Sequence, residues 1–263
     1  MPPDPTHQEE DWYQMLTEGE PINRHLYHVY GLLPSDPRCK LCAAPFKGVG
    51  GFLMRLLGRD QSRYNPRFCE KCQVFEHPGG AEVPLTMLFA DVRNSTRLAE
   101  QMSARDFSRL INRFYTVASH VLIQTDAMVD RLMGDEAIGL YIPGFTGPDH
   151  PSKAVEAAQE LLRLTGHADF KGPWIPVGIG VHTGIAYVGV VGGEQSTMDF
   201  TALGDNVNIT ARLASEAGTG EVLISDAAYS ASHFEPGTLE RRQMELKGKS
   251  EPVGVHVLRV SKN

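Results

Sequence analysis

The sequence predicts an α/β protein, a ferredoxin-like βαββαβ sandwich, preceded by a small module that holds four cysteines. Strand and helix patterns alternate from Leu85 onward in the split βαβ order, which favours this sandwich. All four cysteines lie in residues 39–72, and the turn-rich segment 77–81 follows them. We therefore expect two domains, a cysteine module over residues 1–80 and a larger domain over residues 81–263.

The first elements of the larger domain are indicated by an apolar run and a capping box. The run at 85–90 predicts a strand that ends at Asp91, and a short helix follows it. Ser103 and Asp106 then have the spacing of a capping box, with Asp in place of the usual Glu. The helix that they open extends to about residue 123, because its apolar residues fall on one face.

The remaining elements are predicted from turn residues and from the spacing of apolar residues. A Gly-Asp pair at 134–135 predicts a tight turn between two strands over residues 128–142. The triplet 182–184 predicts another turn, inside a β-hairpin over residues 175–191. The other predicted elements are helices at 151–164 and 205–216, a strand at 198–203, and three short elements at 221–224, 240–246 and 253–260.

Composition narrows the class of protein. The 25 basic and 32 acidic residues give a net charge of −7, which argues against a whole-chain nucleic-acid binder. No apolar run reaches the roughly 20 residues that a bilayer span needs. The acidic, proline-rich N-terminus does not have the pattern of a secretory signal. We expect a soluble, cytoplasmic protein in which the cysteines do not form disulfides.

Two aspartates stand where a strand meets a turn. Asp91 ends an apolar strand, and Asp135 lies at the tip of the predicted 128–142 hairpin. Taken singly, each is an ordinary turn residue. If the hairpin lies beside the first strand, however, the two carboxylates converge. Converging carboxylates can hold two hard cations, which is the arrangement used in phosphoryl chemistry.

The helix at 205–216 carries an unusual polar pair. Asn208 and Arg212 are four residues apart and therefore share a face, where a core helix would more often carry aliphatic residues. The alternative is a solvated face on which Arg212 pairs with Glu216. Farther along the chain, Lys247 and Lys249 form a basic tip between two strands, which alone is a common surface feature.

Five motifs together resemble the catalytic domain of the class III nucleotidyl cyclases, and bacterial adenylate cyclases in particular. They occur in order over residues 84–260, about two-thirds of the chain. The motifs are LFADVRNST (88–96), DRLMGDEA (130–137), GIGVHTGIAYVGVVG (178–192), FTALGDNVNITARLAS (200–215) and LKGKSEPV (246–253). Each motif alone is a weak indication of the family, but five of them in the same order are a specific one.

The resemblance implies a reaction and a metal site. The ribose 3′-oxygen of ATP would attack its own α-phosphorus and expel pyrophosphate, giving 3′,5′-cyclic AMP. Two Mg²⁺ or Mn²⁺ ions would be held by Asp91, Val92 and Asp135, one activating the 3′-hydroxyl and the other holding the terminal phosphates. The turn from Val92 to Thr96, which includes Asn94 and Ser95, would cradle those phosphates with backbone N–H groups.

The resemblance also implies a homodimer, because the family places its site between two catalytic domains. The partner subunit would supply Asn208 to orient the ribose and Arg212 to stabilise the transition state. It would also supply Lys247 to the terminal phosphates. One chain carries both halves of the site, so a homodimer would hold two equivalent sites.

Two positions in the family select the base, and they are Arg131 and Thr201 here. Thr201 matches bacterial adenylate-forming members, whereas Arg131 replaces the usual Lys. Both side chains can donate a hydrogen bond, so Arg131 can meet the acceptor at adenine N1. Guanylate-forming members carry Glu with a small residue or Cys at these positions. The resemblance therefore implies ATP as the substrate.

The cysteines form two C-x-x-C pairs, Cys39 with Cys42 and Cys69 with Cys72, separated by 26 residues. Four thiolates in such pairs can bind one zinc ion, although the usual separation is about 15–20 residues. An iron–sulfur cluster is the alternative, and a redox dithiol lacks the expected βαβ context. The segment also contains seven basic residues and two acidic ones. They are Lys40, Lys47, Arg55, Arg59, Arg63, Arg67, Lys71, Asp60 and Glu70.

Three functions compete at this point. The first is an active adenylate cyclase with a metal-binding appendage. The second is a catalytically inactive cyclase-like domain that regulates a partner. The third is a metal module that binds nucleic acid or another partner beside a vestigial cyclase fold. Because every metal, transition-state and phosphate position carries a competent residue, and because the chain is acidic, the first is favoured.

Overall fold

The structure is a computed structural model, and it describes residues 5–19, 29–30, 32–33, 37–39, 42–61, 69–72, 79–192, 199–233, 239–249 and 251–261. The chain divides into two compact units. The smaller comprises residues 1–83 and 187–201, and the larger comprises residues 84–186 and 202–263. Among the described residues, no helix combines the length and the apolar character needed to cross a membrane.

The described residues form the following helices and strands. The helices are α1 (Pro5–Thr17), α2 (Gly48–Leu56), α3 (Ser95–Gln101), α4 (Ala104–Gln124), α5 (Pro143–Thr146), α6 (His150–Leu164), α7 (Asp205–Glu216) and α8 (Asp226–Ala231). The strands are β1 (Gly79–Val92), β2 (Met128–Met133), β3 (Glu136–Tyr141), β4 (Val177–Val191), β5 (Asp199–Leu203), β6 (Val222–Ser225), β7 (Glu240–Met244) and β8 (Val253–Leu258).

The sheet has the strand order of a ferredoxin-like sandwich. In the described residues, its strands run β2-β3-β1-β4-β6-β8-β7, and β5 pairs with β4. The first four of these, with the helices between them, form the predicted βαββαβ unit. Strand β6 pairs with β4 in parallel, and β8 continues the sheet antiparallel to β6. The predicted fold class is therefore confirmed.

Strand β1 is buried along residues 85–90 because helices cover it on both sides. On one side, Leu88 and Ala90 belong to the main core together with apolar residues of α4 and α6. On the other side, Met87 contacts the Thr210 hydroxyl of α7. A strand covered on both faces has no polar alternation, which explains the uninterrupted apolar run.

Helix α4 begins at the predicted capping box. The Ser103 hydroxyl accepts the backbone N–H of Asp106 at 3.1 Å and donates to the Asp106 carboxylate at 2.7 Å. Both the cap and the amphipathic pattern are therefore confirmed. The side chains that the helix buries in the core include Ile111, Phe114, Val121 and Leu122.

The predicted β-hairpin over residues 175–191 is wrong, because these residues form the single strand β4. The turn was predicted from residues 182–184, but His182 and Thr183 instead form hydrogen bonds with residues far away in the sequence. His182 bonds Ser225 and Asn206 at 2.8 and 2.9 Å, and the Thr183 hydroxyl lies 2.7 Å from that of Thr86. With these side chains paired inside the fold, the strand continues without a turn.

Four helices were not predicted. Helices α5 and α8 are only 4 and 6 residues long, and α1 has a weakly apolar sequence. Helix α2 contains three glycines, which disfavour helix. A methyl group on Gly51 would lie 2.4 Å from the Phe46 carbonyl carbon, so the close packing of α2 on this backbone requires glycine. Tertiary packing therefore outweighs propensity there.

The smaller unit packs the N-terminal helix on the end of β5. Trp12 and Leu16 of α1 are buried, and the Trp12 ring stacks on that of Phe200 with centroids 6.1 Å apart.

Several sequence-based expectations concern residues outside the described ranges. They are residues 77–78 of the linker, residue 198 of the predicted strand, and Lys40, Arg63 and Arg67.

Candidate active site

Asp91 and Asp135 meet at one edge of the sheet. Strands β1 and β3 pair antiparallel, with Asp91 opposite Glu136. The N–H of Val92 donates to the Asp135 carbonyl at 3.0 Å, which joins the tip of the β2–β3 hairpin to the end of β1. Gly134 has a φ of 66°, as the predicted tight turn requires. The structure thus brings the two predicted carboxylates together and adds a third, Glu136.

Burial and neighbouring charge raise the pKa of two of these carboxylates, Asp91 and Glu136. Burial raises the pKa of Asp91, and the charge of Asp135 raises it further, although Arg93 opposes both effects. Burial likewise raises the pKa of Glu136, with the charges of Asp91 and Asp135 adding to it. A bound cation would reduce the repulsion between carboxylates that lie this close together.

The side chain of Val92 is buried and has no atom that can bind a metal, so only its backbone carbonyl could serve as a ligand. Val92 was assigned to the metal by the resemblance alone, and that assignment stays a prediction. Asp91 and Asp135 offer the oxygen ligands that Mg²⁺ and Mn²⁺ prefer, and both side chains are partly accessible. The donor set at this edge therefore fits a hard divalent cation.

The turn after β1 has fewer free amides than expected. The N–H groups of Val92 and Arg93 donate to the carbonyls of Asp135 and Pro176, at 3.0 and 2.9 Å. The amides that remain for an anion are those from Asn94 onward, where α3 begins. Asn94 has a φ of 57°, which asparagine tolerates at a position that glycine often takes.

Ser95 contacts the metal edge directly. Its hydroxyl donates a hydrogen bond to the Asp135 carboxylate, while the Thr96 side chain is exposed. Of the three predicted phosphate-turn residues, Asn94, Ser95 and Thr96, only Ser95 has a side chain bonded to a predicted metal ligand. The role of all three in phosphate binding stays a prediction.

Helix α7 presents Asn208 and Arg212 as the sequence predicts. Asn208 is exposed, and a methyl group placed on Gly248 would lie only 3.4 Å from Nη2 of Arg212. Arg212 thus lies against the turn between β7 and β8. That turn is held to α7 by an ion pair between Lys249 and Asp205, while Lys247 is exposed. The structure therefore groups Asn208, Arg212 and the basic turn.

A buried hydrogen-bond chain anchors the start of α7, and the sequence reading missed it. The Asn206 amide nitrogen donates to the Ile185 carbonyl at 2.7 Å, so its oxygen must face His182. Nε2 of His182 therefore donates to Asn206, and Nδ1 accepts from Ser225. Burial lowers the pKa of His182, which favours this neutral form. No local pattern indicates such a long-range chain.

Arg131 and Thr201 lie on two different strands. Arg131 follows a register shift in β2, between Val129 and Arg131, where the pairing with β3 is irregular. Such bulges redirect side chains and are frequent near functional sites. Thr201 lies in the middle of β5 and is buried. The role of both residues in base selection stays a prediction.

The βαββαβ sandwich, the paired aspartates at adjacent strand ends, and the Asn–Arg pair on α7 together define a class III nucleotidyl cyclase domain. A family model for the adenylate and guanylate cyclase catalytic domain matches residues 81–259. The chain therefore belongs to this family.

Curated relatives include adenylate cyclases of bacteria. An adenylate cyclase of Anabaena cylindrica is 27% identical over 183 residues, which cover 65% of this chain and 36% of the relative. An adenylate cyclase of Mycobacterium tuberculosis is 26% identical over 165 residues, covering 62% of this chain and 37% of the relative. The chain thus spans little more than a third of these relatives.

Solved structures support the same fold. The adenylyl cyclase CyaB from P. aeruginosa has a TM-score of 0.60 and 26% identity, covering 70% of this chain and 98% of that one. The guanylyl cyclase Cya2 has a TM-score of 0.61 and 24% identity, covering 70% of this chain and 95% of that one. The neighbours thus include enzymes named for either nucleotide.

The four cysteines form a compact group in the smaller unit. Cys39, Cys42, Cys69 and Cys72 are buried, and their sulfur atoms all lie within 4.8 Å of one another. The Cys42 and Cys69 sulfurs are 3.8 Å apart, and the Cys69 N–H donates to the Cys39 sulfur at 3.3 Å. The two predicted pairs therefore converge as a metal site requires.

Arg59, one of the seven basic residues of the cysteine segment, lies beside this group, a position that the sequence did not indicate. Its Nη1 atom is 3.9 Å from the Cys69 sulfur and 3.8 Å from the Cys72 sulfur. Burial raises the pKa of Cys39, and hydrogen bonds from neighbouring thiols lower the pKa of Cys69. All four thiols can lose their protons together only when nearby cations offset the charge, and Arg59 supplies part of that compensation.

Proposed function

We propose that the protein is an adenylate cyclase that converts ATP to 3′,5′-cyclic AMP and pyrophosphate. The observation that carries the proposal is the meeting of Asp91 and Asp135 at adjacent strand ends of a class III cyclase domain. Divalent cations held there would lower the pKa of the ribose 3′-hydroxyl and neutralise the phosphates. Ser95, through its bond to Asp135, holds one of these carboxylates in place.

The second half of the proposed site is on α7 and belongs to the partner subunit of a homodimer. Arg212 would stabilise the charge that develops on the phosphorus, and Asn208 would orient the ribose. Lys247, exposed at the tip of the turn beside Arg212, would reach the terminal phosphates. The family's arrangement, in which each chain gives one half to each of two sites, supports this assignment.

We assign base selection to Arg131, with Thr201 as the second position. The edge of adenine presents an acceptor at N1, whereas guanine presents a donor there. A guanidinium can donate a hydrogen bond to adenine N1, but it cannot pair with the N1–H donor of guanine. A mismatch at such a buried polar edge costs on the order of 1–3 kcal/mol, or roughly tenfold to hundredfold in selectivity.

The cyclase assay with both nucleotides tests the proposal. With Mn²⁺ or Mg²⁺, the purified protein should form cyclic AMP from ATP and much less cyclic GMP from GTP. Arg131→Lys should keep this preference, because one donor still meets N1. Arg131→Ala should lower the ATP-to-GTP turnover ratio at least tenfold, and Arg131→Glu with Thr201→Cys should weaken ATP use and admit GTP.

Arg163→Ala is the matched control, because it removes an exposed arginine that pairs with Glu160 on α6. It should leave the ratio unchanged. An unchanged ratio in Arg131→Ala as well would contradict the role of Arg131. Absence of any cyclic product, with either nucleotide and either metal, would favour the inactive, regulatory function instead.

We propose that the four cysteines bind a single zinc ion. With bonds of about 2.3 Å, one tetrahedral zinc places its four sulfurs roughly 3.8 Å apart. The sulfurs here lie within 4.8 Å of one another, and one pair is 3.8 Å apart. An iron–sulfur cluster binds its cysteines through more than one iron and therefore spreads them farther. The compact spacing favours one ion.

Metal analysis tests this part of the proposal. The purified protein should contain one zinc per chain and no acid-labile sulfide. Cys42→Ser and Cys69→Ser should each lose the zinc and unfold the module locally, because metal binding and folding are coupled. Lys71→Ala, an exposed change between Cys69 and Cys72, should keep it. Stoichiometric iron and sulfide would show that the site holds a cluster.

A further inference from the structure

Arg93 joins the metal edge to the C-terminal end of α7. One nitrogen of its guanidinium forms an ion pair with the Asp91 carboxylate. Another donates to the carbonyl of Ser215 and lies 3.4 Å from that of Ala217. The Arg93 and Asp91 side chains are only 15% and 19% exposed, so water screens their ion pair weakly.

Contacts besides Asp91 hold the Arg93 side chain. Its two carbonyl acceptors lie at the end of a helix, where the backbone dipole favours a cation. Its backbone N–H donates to the Pro176 carbonyl at 2.9 Å. A methyl group on Gly178 would lie 3.2 Å from its Cδ atom, so the stem packs closely on β4. Arg93 is therefore anchored whether or not Asp91 binds a metal.

A carboxylate has two oxygens, and the contact with Arg93 is made through Oδ1 of Asp91. The anchored guanidinium thus fixes the rotation of the carboxylate and leaves Oδ2 as the oxygen that a cation can take. Partners of this kind, which orient a metal ligand without touching the metal, contribute roughly 10- to 100-fold to metal affinity.

We propose that Arg93 is a positioning residue that orients Asp91 for a divalent cation and ties the metal edge to α7. The inference rests on the proposed function, because that function makes Asp91 a metal ligand. In a homodimer, Asp91 would serve one site and the Asn208–Arg212 face of α7 the other. Arg93 would therefore connect the two sites through one side chain.

Mn²⁺ binding to the purified 263-residue chain without nucleotide, followed by electron paramagnetic resonance, tests the inference. Arg93→Met keeps the packing stem but removes the charge, and it should raise the half-saturating Mn²⁺ concentration by roughly 10- to 100-fold. Arg93→Lys keeps a charge but lacks the planar fork that reaches both the carboxylate and the carbonyls, so it should weaken binding by a smaller factor.

Arg109→Met is the matched control, because it removes an exposed ion pair with Asp106 on α4 and should leave Mn²⁺ binding unchanged. Circular dichroism shows whether each variant is folded. If Arg93→Met does not fold, the Mn²⁺ affinity of Arg93→Lys tests the inference instead. Unchanged or tighter Mn²⁺ binding in the folded Arg93 variants would overturn the inference.

The Asp91→Asn variant separates this inference from the proposed function. If Asp91→Asn loses Mn²⁺ while the Arg93 variants bind it normally, only the role of Arg93 is wrong. If Asp91→Asn binds Mn²⁺ as well as the unaltered protein, or if the unaltered protein binds none, the carboxylate edge is not a metal site. Both proposals would then fail.

Discussion

Asp91→Ala and Asp135→Ala should each reduce cyclisation by roughly a hundredfold to a thousandfold while leaving the fold intact. Each variant removes a carboxylate that the proposed metal site needs, and lost electrostatic stabilisation of a transition state costs about 10²- to 10³-fold for a single contact. The fold should survive, because neither side chain packs in the apolar core. Initial rates of cyclic AMP formation, with saturating Mn²⁺, measure the effect.

Asp149→Ala is the control, because Asp149 is exposed just before α6 and makes no side-chain cap to that helix. It should cyclise ATP at the normal rate. Thermal unfolding of all three variants checks the fold, and we expect shifts of only a few degrees. Near-normal turnover in a folded Asp91 or Asp135 variant would remove the two-metal mechanism.

Local signals predicted much of the fold. The capping box at Ser103, the Gly-Asp turn at 134–135 and the amphipathic face of α4 depend on residues close in sequence, and the structure confirms them. The hairpin over residues 175–191 failed for the opposite reason. Its polar triplet finds partners at Thr86, Ser225 and Asn206, which no local pattern reveals.

In the candidate site, too, residues with a local sequence signal could be predicted and residues with long-range partners could not. Asp91 and Asp135 could be proposed as a pair from the sequence because one ends a strand and the other lies at a hairpin tip. The C-x-x-C pairs could be recognised from their spacing. Glu136 could have been found as the residue that follows Asp135, once the register of β1 and β3 was known. Arg93 could not, because its partners at Ser215 and Ala217 are more than 120 residues away along the chain.

Mixing Asp91→Ala with Arg212→Ala should restore activity that neither variant has alone. Asp91 forms an ion pair with Arg93, and the charge of Asp135 raises its pKa. Arg212 lies against Gly248 in the β7–β8 turn, so the variants damage separate parts of each chain. In a heterodimer, one of the two sites receives both damaged halves and the other receives neither.

The expected recovery follows from counting. Random exchange of equal amounts makes half of the dimers heterodimers, and each has one intact site of two, so the mixture should reach about a quarter of normal activity. Mixing Asp91→Ala with Asp135→Ala is the control. Both changes lie in the same half, so every site stays damaged and no activity should return. If exchange is demonstrated, for example by fluorescence transfer between labelled subunits, and the first mixture remains inactive, the site is not shared between subunits.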